Sequence, residues 1–137
     1  MSNIDIFYEG KLSTRCVYTE TGSEIFTDAP KDNHGEGKQF SPTDLVGASL
    51  GSCMLTLMGI VANKIEVDLK GTRATVKKTM ATAPMRRIGK IEVHIFCPAI
   101  IDATKMQLLE KAAKGCPVHH SLHPDIEQEL VFHWGES

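Results

Sequence analysis

Apolar and polar positions alternate toward both ends of this chain, whereas one long stretch near the middle is almost wholly apolar. Asn3 to Tyr8 and Leu12 to Thr19 are rich in Ile, Phe, Tyr, Val and Thr, with Gly10 between them, and predict two strands joined by a turn. Thr21-Gly22 marks a second turn, and Glu24 to Thr27 predicts a short third strand. From Asp28 to Gln39 the periodicity vanishes while Pro30, Asn33, Gly35 and Gly37 follow in quick succession. That pattern predicts a loop of about a dozen residues, long enough to carry a task of its own.

Ser41-Pro42 opens the clearest helix. Ser41 suits the N-cap, Pro42 suits the first helical position, and Asp44 lies in the first turn, where the helix dipole favours an anion. Leu45, Val46, Ala48, Leu50, Met54, Leu57, Met58, Ile60 and Val61 leave almost no polar face, which predicts a helix buried on all sides. Gly47, Gly51 and Gly59 lower its intrinsic propensity, so close packing must hold it.

Thr72 to Met80 and Ile88 to Cys97 read as two strands joined around Ala83-Pro84. In the second, Ile91, Val93 and Ile95 alternate with Glu92 and His94, giving one buried and one wetter face. Cys97 shares the parity of the buried set and reads as core. Asp102 caps a further helix through Lys114, with Met106, Leu109, Ala112 and Ala113 on its apolar stripe and Gly115 as its stop. Cys116-Pro117 starts a short helix to Leu122, Pro124 ends it, and Ile126 to Trp134 forms a last strand. Hairpins with segregated helices imply an α+β fold with antiparallel sheets around a buried central helix. A helix apolar all round is hard to cover within 137 residues, and a homodimer that sandwiches it is the economical solution.

Composition narrows the classes. The length fits a single domain over residues 1–137, and 42% hydrophobic with 23% charged residues is the balance of a globular protein. A net charge of −2 predicts no pull toward nucleic acid or an anionic membrane; Lys77-Lys78 and Arg86-Arg87 read as solvated strand ends. Met1-Ser2-Asn3-Ile4-Asp5 lacks the basic and apolar regions of a leader, and Ser52, Cys53 and Thr56 interrupt the longest apolar stretch. A cytoplasmic protein is expected. In that reducing compartment Cys16, Cys53, Cys97 and Cys116 are core residues, metal ligands or reactive thiols rather than a disulfide framework.

On position alone, Cys53 in the middle of an apolar helix reads as packing. Cys116 differs, because a thiol where a helix begins faces unpaired N–H groups that stabilise its anion. An ordinary thiol, with a pKa near 8.5, is only about 3% ionised at pH 7, so whichever sulfur attacks needs help. Cys53 has no helper within its own turn, and an arginine brought by the fold is the simplest source. Cys116, His119, His120 and His123 also supply zinc-type ligands, with His119 and His123 at a spacing that could share a helix face. A Cys–His hydrolase using Cys116 is conceivable, with no local signature for it. Phosphate-cradling, dinucleotide and nucleophile-elbow motifs are absent from the sequence.

Ser41-Pro42-Thr43-Asp44-Leu45-Val46-Gly47-Ala48-Ser49-Leu50-Gly51-Ser52-Cys53 resembles the central-helix signature of the OsmC-like family of osmotically inducible and organic hydroperoxide resistance proteins. Cys116-Pro117-Val118-His119 is similar to that family's second cysteine motif, and the turn-rich loop and terminal Phe132-His133-Trp134 match as well. The resemblance implies an intertwined homodimer with active sites at the subunit interface. It further implies a peroxidatic Cys53, a resolving Cys116, and reduction of their disulfide by a small dithiol or dihydrolipoyl group, with no cofactor. One difference is specific: peroxidase members carry a glutamate after the proline, where this chain has Thr43, and Asp44 is the nearest acid. That glutamate orients a catalytic arginine, for which Arg15 is the candidate, with Arg86 and Arg87 as alternatives. Two other readings stand beside this one. The first is a non-enzymatic binder of an apolar small molecule in an interface pocket. The second is a zinc protein using Cys116, His119 and His123.

Overall fold

A computed structural model describes residues 3–137. Met1 and Ser2, which head the segment read as lacking a leader, lie outside the described residues. The chain forms two compact units, Met1–Val46 and Gly47–Ser137.

The first unit carries β1 (Ile4–Gly10), β2 (Ser13–Tyr18) and β3 (Ser23–Asp28) in one antiparallel sheet of that order. After β3 the chain enters the expected loop, which holds a single 3-10 turn at Lys31–Asn33. Asp28 organises this loop. Although only 7% exposed, its carboxylate accepts the backbone N–H groups of Lys38 (3.0 Å) and Gln39 (3.1 Å) and the hydroxyl of Ser13. A buried carboxylate needs such donors, and these donors pin the far end of the loop to the strand. Gly35 is the other fixed point: a Cβ there would lie 1.7 Å from the carbonyl oxygen of Ala29.

Helix α1 (Pro42–Lys64) begins as the sequence predicts. Asp44 accepts the N–H of Ser41 at 2.9 Å, and the Ser41 hydroxyl accepts the N–H of Asp44 at 3.1 Å, a reciprocal cap of the first turn. Gly47, Leu50, Gly51, Met54, Met58 and Ala62 form its buried stripe. The two leading glycines bring the helix backbone against the sheet, since a Cβ at either would sit 3.0–3.1 Å from Val76 methyls. Burial on all sides is not what the chain shows. Ala48, Ser49, Ser52, Thr56 and Ile60 are exposed, because the chain has one layer of partners for this helix rather than two. By length and mean hydropathy α1 is long and apolar enough to cross a bilayer, a property that the core helix of a globular protein shares, and a third of its most apolar window is buried.

The second unit holds β4 (Arg73–Ala81), β5 (Arg87–Cys97), α2 (Ala103–Lys114), α3 (Pro117–Ser121) and β6 (Glu127–Trp134). Strands β4 and β5 are antiparallel, as expected, but β6 pairs with β5 in parallel, with Val93 opposite Leu130 and Ile95 opposite Phe132. This corrects the all-antiparallel expectation. The segment carrying α2 and α3 returns the chain to the start of β5, and such a crossover is how neighbouring strands become parallel.

Ile91, Val93, Ile95 and Cys97 are all no more than 1% exposed and join Leu50, Met54, Met58, Leu109, Ala113 and Cys116 in the core. Cys97 is thus the core residue its parity implied, and it accepts the Thr72 hydroxyl at 3.4 Å. The Trp134 indole N–H donates to Glu110 at 2.9 Å, tying β6 to α2. On the wetter face His94 and His133 hydrogen-bond each other at 2.9 Å.

Candidate functional site

Two sulfurs from distant parts of the sequence meet within the second unit. Cys53 is half-buried on α1, and Cys116 is fully buried as the N-cap of α3. Both are free thiols, and Cys53 lies close enough to Cys116 to help raise its pKa. Cys116 Sγ accepts the backbone N–H of His119 at 3.4 Å. The local sequence produces this cap. Gly115 ends α2 by hydrogen-bonding back to Lys111 and Ala112, and Pro117 supplies the fixed first position of the next turn.

The net effect on Cys116 is opposite to the sequence expectation. Burial pushes its pKa up, the neighbouring Cys53 adds to the rise, and the backbone N–H groups of His119 and Val118 offset only part of it. Cys116 is therefore held as a thiol at neutral pH, while Cys53 is the sulfur that solvent can reach. Two neighbouring free thiols are the arrangement from which a bond of about 2 Å closes on two-electron oxidation.

The candidate arginines are placed differently. Arg15 stands on β2 in the first unit, where its Nε donates to Glu9 at 2.7 Å, a second nitrogen lies 3.9 Å from Glu24, and the guanidinium covers the Phe7 ring at 4.6 Å. Glu9 raises its pKa further. Arg87 opens β5 and donates to the carbonyl of Ile88, and Arg86 is exposed beside it. The groups that shift Cys116 are burial, Cys53, His119 and Val118, with no arginine among them. Asp44, weighed as a substitute for the missing glutamate, is engaged in capping α1.

His119 is held by a partner that inspection of the sequence missed. Its Nδ1 lies 2.5 Å from Gln128 Oε1, and the same amide donates through Nε2 to the His119 carbonyl at 3.2 Å. The amide NH₂ donates to the carbonyl, so its oxygen accepts from His119 Nδ1–H, which fixes the orientation of the ring. One signal could have revealed this: Gln128 shares the parity of Leu130 and Phe132, and a polar residue on an inward face needs a nearby partner. The zinc set does not assemble. Helix α3 stops at Ser121, so His123 lies beyond it, exposed, with its Nδ1 accepting the N–H of Asp125 at 3.0 Å. Among the described residues no group of three or more His, Cys, Asp or Glu is placed to hold a metal ion.

Two three-stranded sheets, one long helix and a thiol pair joining that helix to the cap of a short one define an α+β cysteine-pair protein. The family model described as OsmC-like protein matches residues 35–131, and the chain belongs to the OsmC-like family. A structure from Psychrobacter arcticus 273-4, a putative osmotic stress induced and detoxification response protein, is 42% identical over 97% of this chain and 96% of that one, with a TM-score of 0.92. An organic hydroperoxide resistance protein from Legionella pneumophila shares the fold at 17% identity and a TM-score of 0.77, covering 97% and 96% of the two chains. A putative organic hydroperoxide resistance protein from Vibrio cholerae, with captopril in one of its active sites, does so at 17% identity and 0.75, covering 96% and 90%. No curated protein sequence matches this chain.

Proposed function

We propose that the protein is a thiol peroxidase for organic hydroperoxides, and for hydrogen peroxide, in which Cys53 attacks and Cys116 resolves. The single observation that carries this reading is the neighbouring pair of free thiols with one partly accessible and one fully buried member. An attacking sulfur must meet its substrate, whereas a resolving sulfur need only meet the first. Cys53 thiolate attacks the distal oxygen of ROOH, the O–O bond breaks, and after uptake of one proton the products are Cys53–SOH and ROH. Cys116–SH then condenses with Cys53–SOH, forming the S–S bond and releasing water. A small dithiol or dihydrolipoyl group reduces the disulfide, regenerating both thiols and leaving as its own disulfide. The sulfur does the redox work, so no metal or organic cofactor enters the cycle.

Residues 1–137 act in this reading as one OsmC-like domain of a cytoplasmic homodimer. The exposed apolar side of α1, including Ile60 at 49%, supports a partner that sandwiches the helix, as do Ile4, Ile6 and Tyr8 on β1. Arg15 is the cation assigned to the dimeric site. It already has a glutamate holding it, Glu9, in place of the one that Thr43 replaces.

The test is turnover of cumene hydroperoxide with dithiothreitol. Cys53→Ser abolishes it, and Cys116→Ser halts after formation of a sulfenic acid. Wild-type protein no faster than free dithiol would remove the assignment.

A further inference from the structure

Gln128 makes two hydrogen bonds with a single residue, and the peroxidase cycle gives it no part. Its amide oxygen accepts from His119 Nδ1–H at 2.5 Å, and its Nε2 donates to the His119 carbonyl at 3.2 Å. Helix α3 stops at Ser121, short of the residue whose N–H would reach that carbonyl in a longer helix. The Gln128 amide supplies the donor that the helix lacks.

The two ends of this latch differ in how firmly they are held. Gln128 stands on β6 opposite the fully buried Ile91 of β5, in a strand paired from Glu127 to Trp134. Helix α3 has five residues, none of them buried. A helix that short has little cohesion of its own, so its first turn takes its position from what it is tied to. That turn carries the His119 N–H, which donates to Cys116 Sγ at 3.4 Å. One side chain on the sheet therefore controls, through His119, a hydrogen bond to the buried sulfur.

We infer that Gln128 is a positioning residue for disulfide closure: it keeps the His119 N–H on Cys116 Sγ, where that N–H stabilises the thiolate as it forms. The inference rests on the roles proposed for Cys53 and Cys116. In the closing step Cys116–SH gives its proton to solvent and its thiolate attacks the sulfur of Cys53–SOH. The S–S bond forms, the S–O bond breaks, and the departing hydroxide takes up a proton to become water. Burial opposes that ionisation, so a hydrogen bond favouring the anion acts on this step directly.

Closure can be followed without peroxide. In a Cys16→Ser background, dithiobis(nitrobenzoate) places a mixed disulfide on Cys53 and releases one thionitrobenzoate; attack by the Cys116 thiolate then expels the second. Loss of one hydrogen bond to an anionic sulfur lowers the thiolate fraction about tenfold. A more basic thiolate is also the better nucleophile, so Gln128→Leu is expected to slow the second release only about threefold at neutral pH. The first release stays unchanged. The rate–pH profile moves toward the alkaline side, and the deficit vanishes where wild-type Cys116 is already ionised. His119→Ala removes one of the two latch bonds and shows a smaller displacement in the same direction. Because His119 is only half-buried, this variant reports even where Gln128→Leu does not fold. An unshifted profile in both variants overturns the inference, whether the rate is unchanged or lower at every pH. A wild-type protein that releases one equivalent alone fails earlier: its sulfurs do not pair, and the peroxidase roles fall together with the inference.

Discussion

The division of labour between the sulfurs predicts an order of chemical labelling. At pH 7 an ordinary thiol is about 3% anion, and each unit of pKa above that cuts the reactive fraction about tenfold. Cys116 is shifted upward by burial and by Cys53, so its anion fraction falls below the ordinary figure, and its side chain has no accessible surface. Both factors slow an alkylating agent, whereas Cys53 is open in part. Brief treatment with iodoacetamide at pH 7, followed by peptide mass mapping, is therefore expected to label Cys53 at least about tenfold faster than Cys116. The pH dependence has a definite sign. A thiol whose folded pKa is raised contributes stability that is fully present below the unfolded value and is lost as pH climbs through the folded one. Labelling of Cys116 should thus rise at alkaline pH together with a loss of stability. In Cys53→Ser the thiol partner of Cys116 is gone, and one cause of its raised pKa goes with it. Cys116 labelled ahead of Cys53 at neutral pH would refute the assignment of roles.

Two further predictions concern the loop between β3 and α1. Asp28→Ala strands the N–H groups of Lys38 and Gln39 and the hydroxyl of Ser13; a loss of about 3 kcal/mol in urea unfolding is expected. Gly35→Ala drives a Cβ into the carbonyl of Ala29, a backbone group that cannot rotate away. A cost of about 3 kcal/mol, or a chain that does not accumulate, is expected, with circular dichroism and thermal unfolding as the check.

Much of this architecture could be read along the chain because its signals are local. Ser41, Pro42 and Asp44 announced the start of α1, Asp102 and Gly115 bounded α2, and the alternation from Ile91 to Cys97 named the buried face of β5. The direction of β6 could not be read, since alternation is the same in parallel and antiparallel strands. Nor could the open side of α1, because an apolar helix carries no mark of whether its own chain or another covers it. The two cysteine segments were legible as motifs, and their pairing only through the family resemblance, since nothing local to either segment sets one sulfur beside the other. Cys116 shows why local reasoning misjudged its acidity: the N–H groups of the cap were visible in the sequence, whereas the burial that outweighs them is a property of the fold. His119 was legible only as a metal ligand, because the residue that fixes it, Gln128, stands on another element.

The most direct test is intact mass after one equivalent of cumene hydroperoxide, followed by disulfide mapping. Loss of about 2 Da, with the peptides of Cys53 and Cys116 joined, is the outcome the account predicts. An unchanged mass, or a gain of about 32 Da on Cys53 while Cys116 stays free to alkylation, would contradict it.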